Sequence, residues 1–349
     1  MGYYLPPEWH RQAAVQLTWP HKDTDWAGCL AEIGEAMARM AAFIARSSKV
    51  VIAAREPAEV WPALEKTLPA GLAARVVVAE CDTDDTWARD HAPLTLLSDN
   101  GGAPLLLDFK FNGWGGKFPS AKDNLVGRRL FEGGVLGGCT MEDNGDFVLE
   151  GGSIESDGCG TVFTTANCLL APNRNQPMGR DGIEKELLRR LRAGRVVWIE
   201  NGLLDGDDTD GHIDTLVRTA PGNTLLYMAP LGDGGGQDRS LAAMEEELHS
   251  LRTVGGERYR LVPLPSPDPV VWRGERLPAT YANFLVLNGA VMVPSYGQPQ
   301  KDRLALEAVA SAFPGREVGS IDATVAVRQH GSLHCLSMQY PEGVEINKV

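Results

Sequence analysis

The chain lacks the features that define several large protein classes. No apolar run approaches the roughly 18 residues that a membrane-spanning helix needs. The opening MGYYLPPEWHRQ has no basic stretch followed by an apolar one, so no secretory signal or transit peptide is legible, and the cytoplasm is the expected compartment. Cysteine is sparse: six occur in 349 residues, at positions 29, 81, 139, 159, 168 and 335. They form no CxxC pair, which argues against both a disulfide framework and a zinc ribbon. Positive charge is short as well. Lys and Arg total 33 against 46 Asp and Glu, a net charge of −13, and a nucleic-acid partner would need a basic face. The acidity suits a cationic small molecule, although many proteins without such a ligand are equally acidic.

What is present is ordinary globular material, 43% hydrophobic and 23% charged. A chain of this length buries roughly three quarters of its unfolded surface. Apolar, β-branched runs at 49–54, 75–80, 104–109, 195–200, 223–229 and 284–294 read as strands. Between them lie helical patterns near 26–46, 57–67, 120–131, 180–193, 238–252 and 300–313. In the last of these, Leu304, Ala308 and Ala312 form an apolar stripe. Alternating strands and helices predict an α/β or layered α+β protein. RVVVAECDTDDTWARD (75–90) and RVVWIENGLLDGDDTDGHID (195–214) share Arg-Val-Val-x-x-Glu, an acidic Thr/Asp stretch and a closing Asp, which suggests related structural modules. No Pro- or Ser-rich linker divides the chain, so residues 1–349 are expected to form a single domain. The Gly-rich tract LGDGGGQ (231–237) matches neither GxGxxG nor a P-loop and reads as a turn before a helix.

Four short segments combine reactive side chains with glycine or tryptophan: TWARD (86–90), LEGGS (149–153), TDGHIDT (209–215) and GSLHC (331–335). Each follows a strand-like run, and strand ends are where polar groups converge in α/β architectures. A cysteine is a nucleophile only as thiolate and needs a histidine or a positive environment, and a histidine needs a carboxylate to orient it. A planar guanidinium would need paired carboxylates, which match its N–H groups bidentately. Asp90, Glu150, His212, Asp214 and Cys335 supply these parts.

Each residue also has a bland alternative. Asp90 could pair with Arg89 or cap a helix, Glu150 could sit in an exposed turn, and His212 with Asp214 could lie in a solvated loop. Cys335 alone would more often be a small buried hydrophobe. An EF-hand starting at Asp205 fails, because Asp210 and Leu216 stand where Gly and Glu are required. A zinc site built from His212, Cys335 and carboxylates lacks any close ligand pair in sequence. His334 is expected to face away from Cys335, since neighbouring residues on a strand point to opposite faces.

WARD, LEGG, DGHID and LHC, in this order and spacing, resemble the agmatine deiminase and bacterial (Porphyromonas-type) peptidylarginine deiminase family. So do LPPEWHRQAAVQLTWPHKDTDW (5–26), FNGWGGKFP (111–119) and VPSYGQPQKD (293–302), so that the resemblance spans nearly the whole chain. It implies the pentein fold, a five-bladed α/β propeller with pseudo-fivefold symmetry. It also implies hydrolytic deimination without metal or other cofactor, through a covalent thiouronium on cysteine. Carried over residue by residue, Cys335 is the nucleophile and His212 the general acid/base, while Glu150 positions substrate and histidine. Asp90 and Asp214 hold the guanidinium, and Trp87 walls the channel.

The expected reaction converts agmatine and water to N-carbamoylputrescine and ammonia, a step of putrescine biosynthesis. Peptidyl-arginine or free arginine, giving citrulline, is the first rival substrate, and a catalytically silent binding propeller is a second reading. The sequence departs from the family at QHGSLHC (329–335), where agmatine deiminases resemble GGGNIHC, and at EWH (8–10), where many members carry an acidic third residue. Both departures bear on the distal end of the substrate. The implied partner is a cationic guanidine, not nucleic acid or membrane. Enzymes of this type commonly form homodimers, and no interface is legible in the chain.

Overall fold

Four times along the chain a short strand turns back antiparallel into a second strand, which then crosses through a helix to a parallel third, and the two ends of the chain complete a fifth such unit. The computed structural model describes residues 2–348. In the second blade the three strands are Leu94–Ser98, Leu105–Lys110 and Thr140–Val148, with the crossover helix Val126–Glu132. The third repeats this with Ile154–Ser156, Thr161–Thr165, helix Arg180–Arg190 and Arg195–Ile199. The fourth has Val217–Ala220, Thr224–Met228, helix Gly236–Ser250 and Arg260–Leu264. The fifth has Leu285–Leu287, Ala290–Ser295, helix Pro299–Ala312 and Glu317–Asp322. The first blade is closed by both ends of the chain: Ser337–Pro341 pairs antiparallel with Gln12–Thr18, which leads through helix Leu30–Ala45 to Lys49–Ala54. A further helix, Pro57–Thr67, then leads to Val76–Glu80.

A parallel pair cannot be closed by a tight turn, so every second-to-third connection needs its crossover helix. Burial falls to the third strand in the second, fourth and fifth blades. The first strands of the fourth and fifth blades are buried throughout, whereas Glu317–Asp322 is half-buried to exposed along its whole length. The antiparallel strands therefore lie innermost, and the helices cover the outside. Helix Leu30–Ala45 shows why: Ile33, Met37, Met40, Ala41 and Ile44 recur at helical spacing and are fully buried.

The six helical patterns match observed helices, and the 75–80 and 195–200 repeat corresponds to the outermost strand of the first blade and the third strand of the third. Two details differ. The buried stripe of helix Pro299–Ala312 is Ala305, Val309 and Ala312, and Leu304 is exposed. The small Ala305 face packs on the sheet, which the local pattern of apolar residues does not specify. The run 284–294 is two strands, broken at Asn288-Gly289. Gly289 adopts φ +72°, a left-handed conformation that glycine takes without penalty, and so makes the hairpin turn. Among the described residues no helix is long and apolar enough to cross a membrane.

Candidate active site

All four chemistry-bearing segments occupy one structural position: they immediately precede the inner strands of their blades. Asp90 lies in a one-turn helix, Ala88–His91, ahead of Leu94–Ser98. Glu150 precedes the turn Gly151–Ser153 and strand Ile154–Ser156. His212 and Asp214 flank the start of the turn Ile213–Thr215 ahead of Val217–Ala220, and Cys335 sits in the turn before Ser337–Pro341. The blade arrangement thus brings segments far apart in sequence to one centre.

Gly152 measures that convergence. A methyl group added to it would sit 2.7 Å from His212 Nδ1, 2.9 Å from Asp90 Oδ1 and 3.1 Å from Asp214 Oδ2. A methyl on Gly151 would lie 2.1 Å from the Arg89 carbonyl oxygen. The paired glycines of LEGGS are therefore required by space, because no side chain fits where the three groups meet.

Asp90 is buried, with Oδ1 accepting from the Gly152 N–H at 2.9 Å and Oδ2 from Trp114 Nε1 at 2.9 Å. Burial, together with neighbouring Asp214 and Glu150, pushes its pKa above the ordinary carboxylate value. Asp214 is opposed in the same way by burial, but the His334 imidazole, bonded to its Oδ2 at 2.7 Å, and the charges of His212 and Arg218 bring its pKa down. His212 is fully buried, 3.7 Å from Asp90 through Nδ1. Burial disfavours its cation, yet Asp90, the neighbouring Cys168 and Glu150 outweigh that effect and raise its pKa well above the usual value. Cys335 is 6% exposed, with Sγ 3.7 Å from Asp214 Oδ2. Burial, then Asp214 and Asp90, push its thiol pKa well above the ordinary value. Glu150 is paired with Arg174 Nε at 2.7 Å, and Arg174 is anchored in turn by Asp210 and the Thr209 carbonyl. Glu150 Oε2, Asp214 Oδ1 and both ring nitrogens of His212 are buried and find no hydrogen-bond partner among the described residues.

A cleft of about 320 Å³ opens onto this centre, reaching Cys335, Asp90 and Thr215 at its buried end. Trp87, Trp114 and Phe118 wall it, and Asp25, Asp85, Asp208, Gln329 and His330 lie toward the mouth. No lysine or arginine lines it. The Trp114 wall depends on the loop FNGWGG. Trp114 itself is left-handed at φ 53°, and it is held there between Gly113 and Gly115, with the Asn112 side chain accepting from the Gly115 N–H. Gln329, His330 and Gly331, at the QHGS departure, line the cleft, whereas His10, at the other departure, does not.

Sequence reasoning did not single out several residues that sit in this centre. Asn283, in the equivalent position of the fifth blade, bonds both Asp214 and Cys335. Its only sequence signal is its place just ahead of the inner strand. His334 does not face away: residues 333–336 form a turn, not a strand, so strand alternation does not apply. The His334 ring bridges Asp214 Oδ2 and Glu8 Oε2, each at 2.7 Å. Glu8 then meets Arg218 at 2.6 Å, and Arg218 meets Glu155 at 2.5 Å, so that a buried chain of polar contacts runs beneath the site. Cys168, a buried thiol, lies beside His212 and Glu150, and its donor atom is within 4.8 Å of theirs. That Glu150, Cys168 and His212 set could hold a divalent ion. Glu8, Glu155 and His334 are equally close, but Arg218 already neutralises them.

The whole-chain comparison settles the family. The family model for Porphyromonas-type peptidyl-arginine deiminases matches residues 4–341. The chain belongs to this family. It is 32% identical to an agmatine deiminase of Stutzerimonas stutzeri, over 97% of this chain and 96% of that one. A solved Porphyromonas gingivalis protein proposed to be an arginine deiminase superposes with a TM-score of 0.92 at 45% identity, covering 99% of this chain and all of that one. A C. jejuni agmatine deiminase variant solved with substrate bound superposes at 0.90 with 33% identity, covering 98% and 97% of the two chains. The five blades are those of the pentein propeller, and the family is one of guanidine-modifying hydrolases acting on C–N bonds.

Proposed function

We propose that this protein is an agmatine deiminase, releasing ammonia from agmatine to leave N-carbamoylputrescine, with residues 1–349 acting as one domain. The observation that carries this reading is the set of buried, unpartnered acceptors around a thiol: Glu150 Oε2 and Asp214 Oδ1 stand beside Asp90, His212 and Cys335. Leaving such groups unsatisfied costs about 1–3 kcal/mol each, and a planar cation rich in N–H donors answers them all. Six unpaired thiols suit a reducing cytoplasm.

The geometry supports the following chemistry. Asp90 and Asp214 grip the guanidinium, and its positive charge offsets the two carboxylates that oppose the Cys335 thiolate, so the thiol yields its proton to solvent water as substrate docks. The thiolate attacks the guanidinium carbon. Protonated His212 gives its proton to the departing nitrogen, which leaves as ammonia, and a thiouronium remains on Cys335. Neutral His212 then takes a proton from water, the resulting hydroxide attacks the same carbon, and the C–S bond breaks; the adduct's hydroxyl proton passes to the departing Cys335 thiolate, leaving the neutral urea product and protonated His212.

The cleft mouth supports a substrate that is cationic at its far end. Asp25, Asp85 and Asp208 line it and no lysine or arginine does, although Lys117 lies behind Asp208, and three carboxylates there favour an amine over the carboxylate of free arginine. Ammonia release across agmatine, arginine and short arginyl peptides tests this directly. Agmatine is expected to give the highest kcat/KM, and a preference for arginyl peptides would overturn the substrate assignment.

Asp208 makes the preference pH-dependent. Burial, reinforced by Asp207, pushes its pKa up to about 6, against the pull of His330 and Lys117. A carboxylate with that pKa is charged above pH 6 and neutral below it. Burial pushes Asp85 up to about 6 as well, so KM for agmatine is expected to rise as pH falls through 6 and Asp208→Asn should lessen that rise, leaving the part due to Asp85; an unchanged profile in the variant would assign the effect elsewhere.

The reaction as written uses thiolate and imidazole alone, so prolonged chelation is expected to leave turnover and Tm unchanged. Activity lost to a chelator and restored by zinc would point instead to the Glu150, Cys168 and His212 donor set.

A further inference from the structure

The turn 329–331 forms one side of the cleft mouth, and each of its three residues is pinned. Gln329 Nε2 donates to the Asp25 carbonyl oxygen at 2.9 Å. Gly331 lies against the Trp87 wall, where an added methyl would sit 2.0 Å from the ring. Between them His330 stands at φ 66° and ψ 0°, a left-handed conformation uncommon for a residue with a side chain and one that glycine takes freely. It occupies the position of QHGSLHC at which the agmatine deiminase pattern GGGNIHC has glycine. Backbone held this way beside a reaction site calls for a functional reason.

The side chain crosses the mouth. His330 Nδ1 lies 2.6 Å from the Gly206 carbonyl oxygen, and because a carbonyl only accepts, Nδ1 is the donor. Gly206 belongs to the loop between the third and fourth blades, two residues ahead of Asp208, and Asp208 and His330 line the cleft together. Other contacts hold this stretch from outside the cleft: Asp205 pairs with Arg276 at 3.0 Å, and Lys117 Nζ donates to the Asp208 carbonyl oxygen at 2.6 Å. The bond from His330 is the one drawn across the mouth. From Thr209 onward the same loop is held by Arg174, through the Thr209 carbonyl and Asp210. His330 therefore bears on where Asp208 stands, and Arg174 on where His212 stands.

We propose that His330 is a specificity-determining residue: its hydrogen bond to Gly206 ties the loop carrying Asp208 over the cleft mouth, so that Asp208 meets the far-end amine of an unbranched guanidine and the closed mouth excludes an arginyl peptide. The inference rests on the agmatine reading above and names the residue that enforces it. A carboxylate favours an amine only when it is held close to it, and a loop free to swing outward gives up both the charge and the closure.

His330→Gly and His330→Asn separate the tie from the ring. Glycine removes the donor and suits the left-handed backbone, so the variant is expected to fold with an undiminished Tm. Asparagine tolerates the same backbone and carries an N–H donor at Nδ2, the same number of bonds from the chain as Nδ1 of histidine. The readout is kcat and KM for agmatine beside those for an arginyl dipeptide. In His330→Gly, KM for agmatine is expected to rise about tenfold with kcat changing less, and the preference for agmatine over the dipeptide to fall about tenfold or more. His330→Asn should restore most of that preference. In an Asp208→Asn background His330→Gly should add less than about threefold to KM, because it acts through Asp208.

A preference unchanged in His330→Gly would overturn the proposal, as would one lost equally in His330→Asn or an effect fully additive to Asp208→Asn. A purely structural histidine would lower Tm and affect both substrates alike. The underlying reading fails differently: a native enzyme that prefers the dipeptide overturns the agmatine assignment, and this inference with it. A native preference for agmatine that survives in His330→Gly removes the role of His330 alone.

Discussion

Cys335→Ala abolishes turnover, by about ten-thousand-fold or more, while agmatine still binds. That is the expected result of removing the atom that forms the covalent bond while leaving its surroundings intact. Asp90 is held by Gly152 and Trp114, and Asp214 by His334 and Asn283, so neither carboxylate depends on the thiol for its placement. Calorimetric titration of the variant should give agmatine affinity within a few-fold of the native KM. Native enzyme quenched during turnover should carry an amidino adduct on the peptide HGSLHCLSM, and none of the other five cysteines should carry it. A fully active alanine variant would return Cys335 to the status of buried core.

The second large effect falls on the guanidinium grip. Asp90→Asn and Asp214→Asn each remove one charge from a desolvated cation's partner, a loss of about 1.5–3 kcal/mol and so roughly 10- to 150-fold in kcat/KM. The two should differ in stability. In Asp90→Asn the side-chain NH2 must face one of the two N–H donors that hold the carboxylate, Gly152 or Trp114, so this variant is expected to melt at the lower temperature. Asp214→Asn can keep an oxygen at the Oδ2 position, where Asn283 Nδ2 and the His334 ring both point, and turn its NH2 to the unpartnered Oδ1 position. Melting curves beside steady-state rates separate the two effects. Normal turnover in both variants would refute the grip, and a collapse in Tm with normal turnover per folded molecule would make the carboxylates structural.

How the site could be read from the chain follows from how it is built. Reactive side chains next to glycine or tryptophan are local features, and Asp90, Glu150, His212, Asp214 and Cys335 stood out for that reason. Asn283 did not, because TYANF has no reactive group and its importance lies in what another blade presents to it. His334 was misplaced because strand alternation was applied to a turn. Cys168 was passed over because a lone thiol carries no sign of the histidine and carboxylate it will meet.

The fold divides in the same way. Six helices and the long β-branched strands are legible because burial imprints a period on the residues that make them. Most inner strands are not: Ile154–Ser156 has three residues and Val217–Ala220 four, too few for any period to register, and Leu285–Leu287 is legible only as part of the longer run 284–294. The sequence by itself determined the elements, the glycines that give them room, and the reactive side chains at their ends. Only the tertiary structure decided which of those side chains meet. Closing five blades into a ring joins Glu8 to His334 and Asn283 to Cys335, and burial among carboxylates then sets the protonation of each group, a property no residue carries alone.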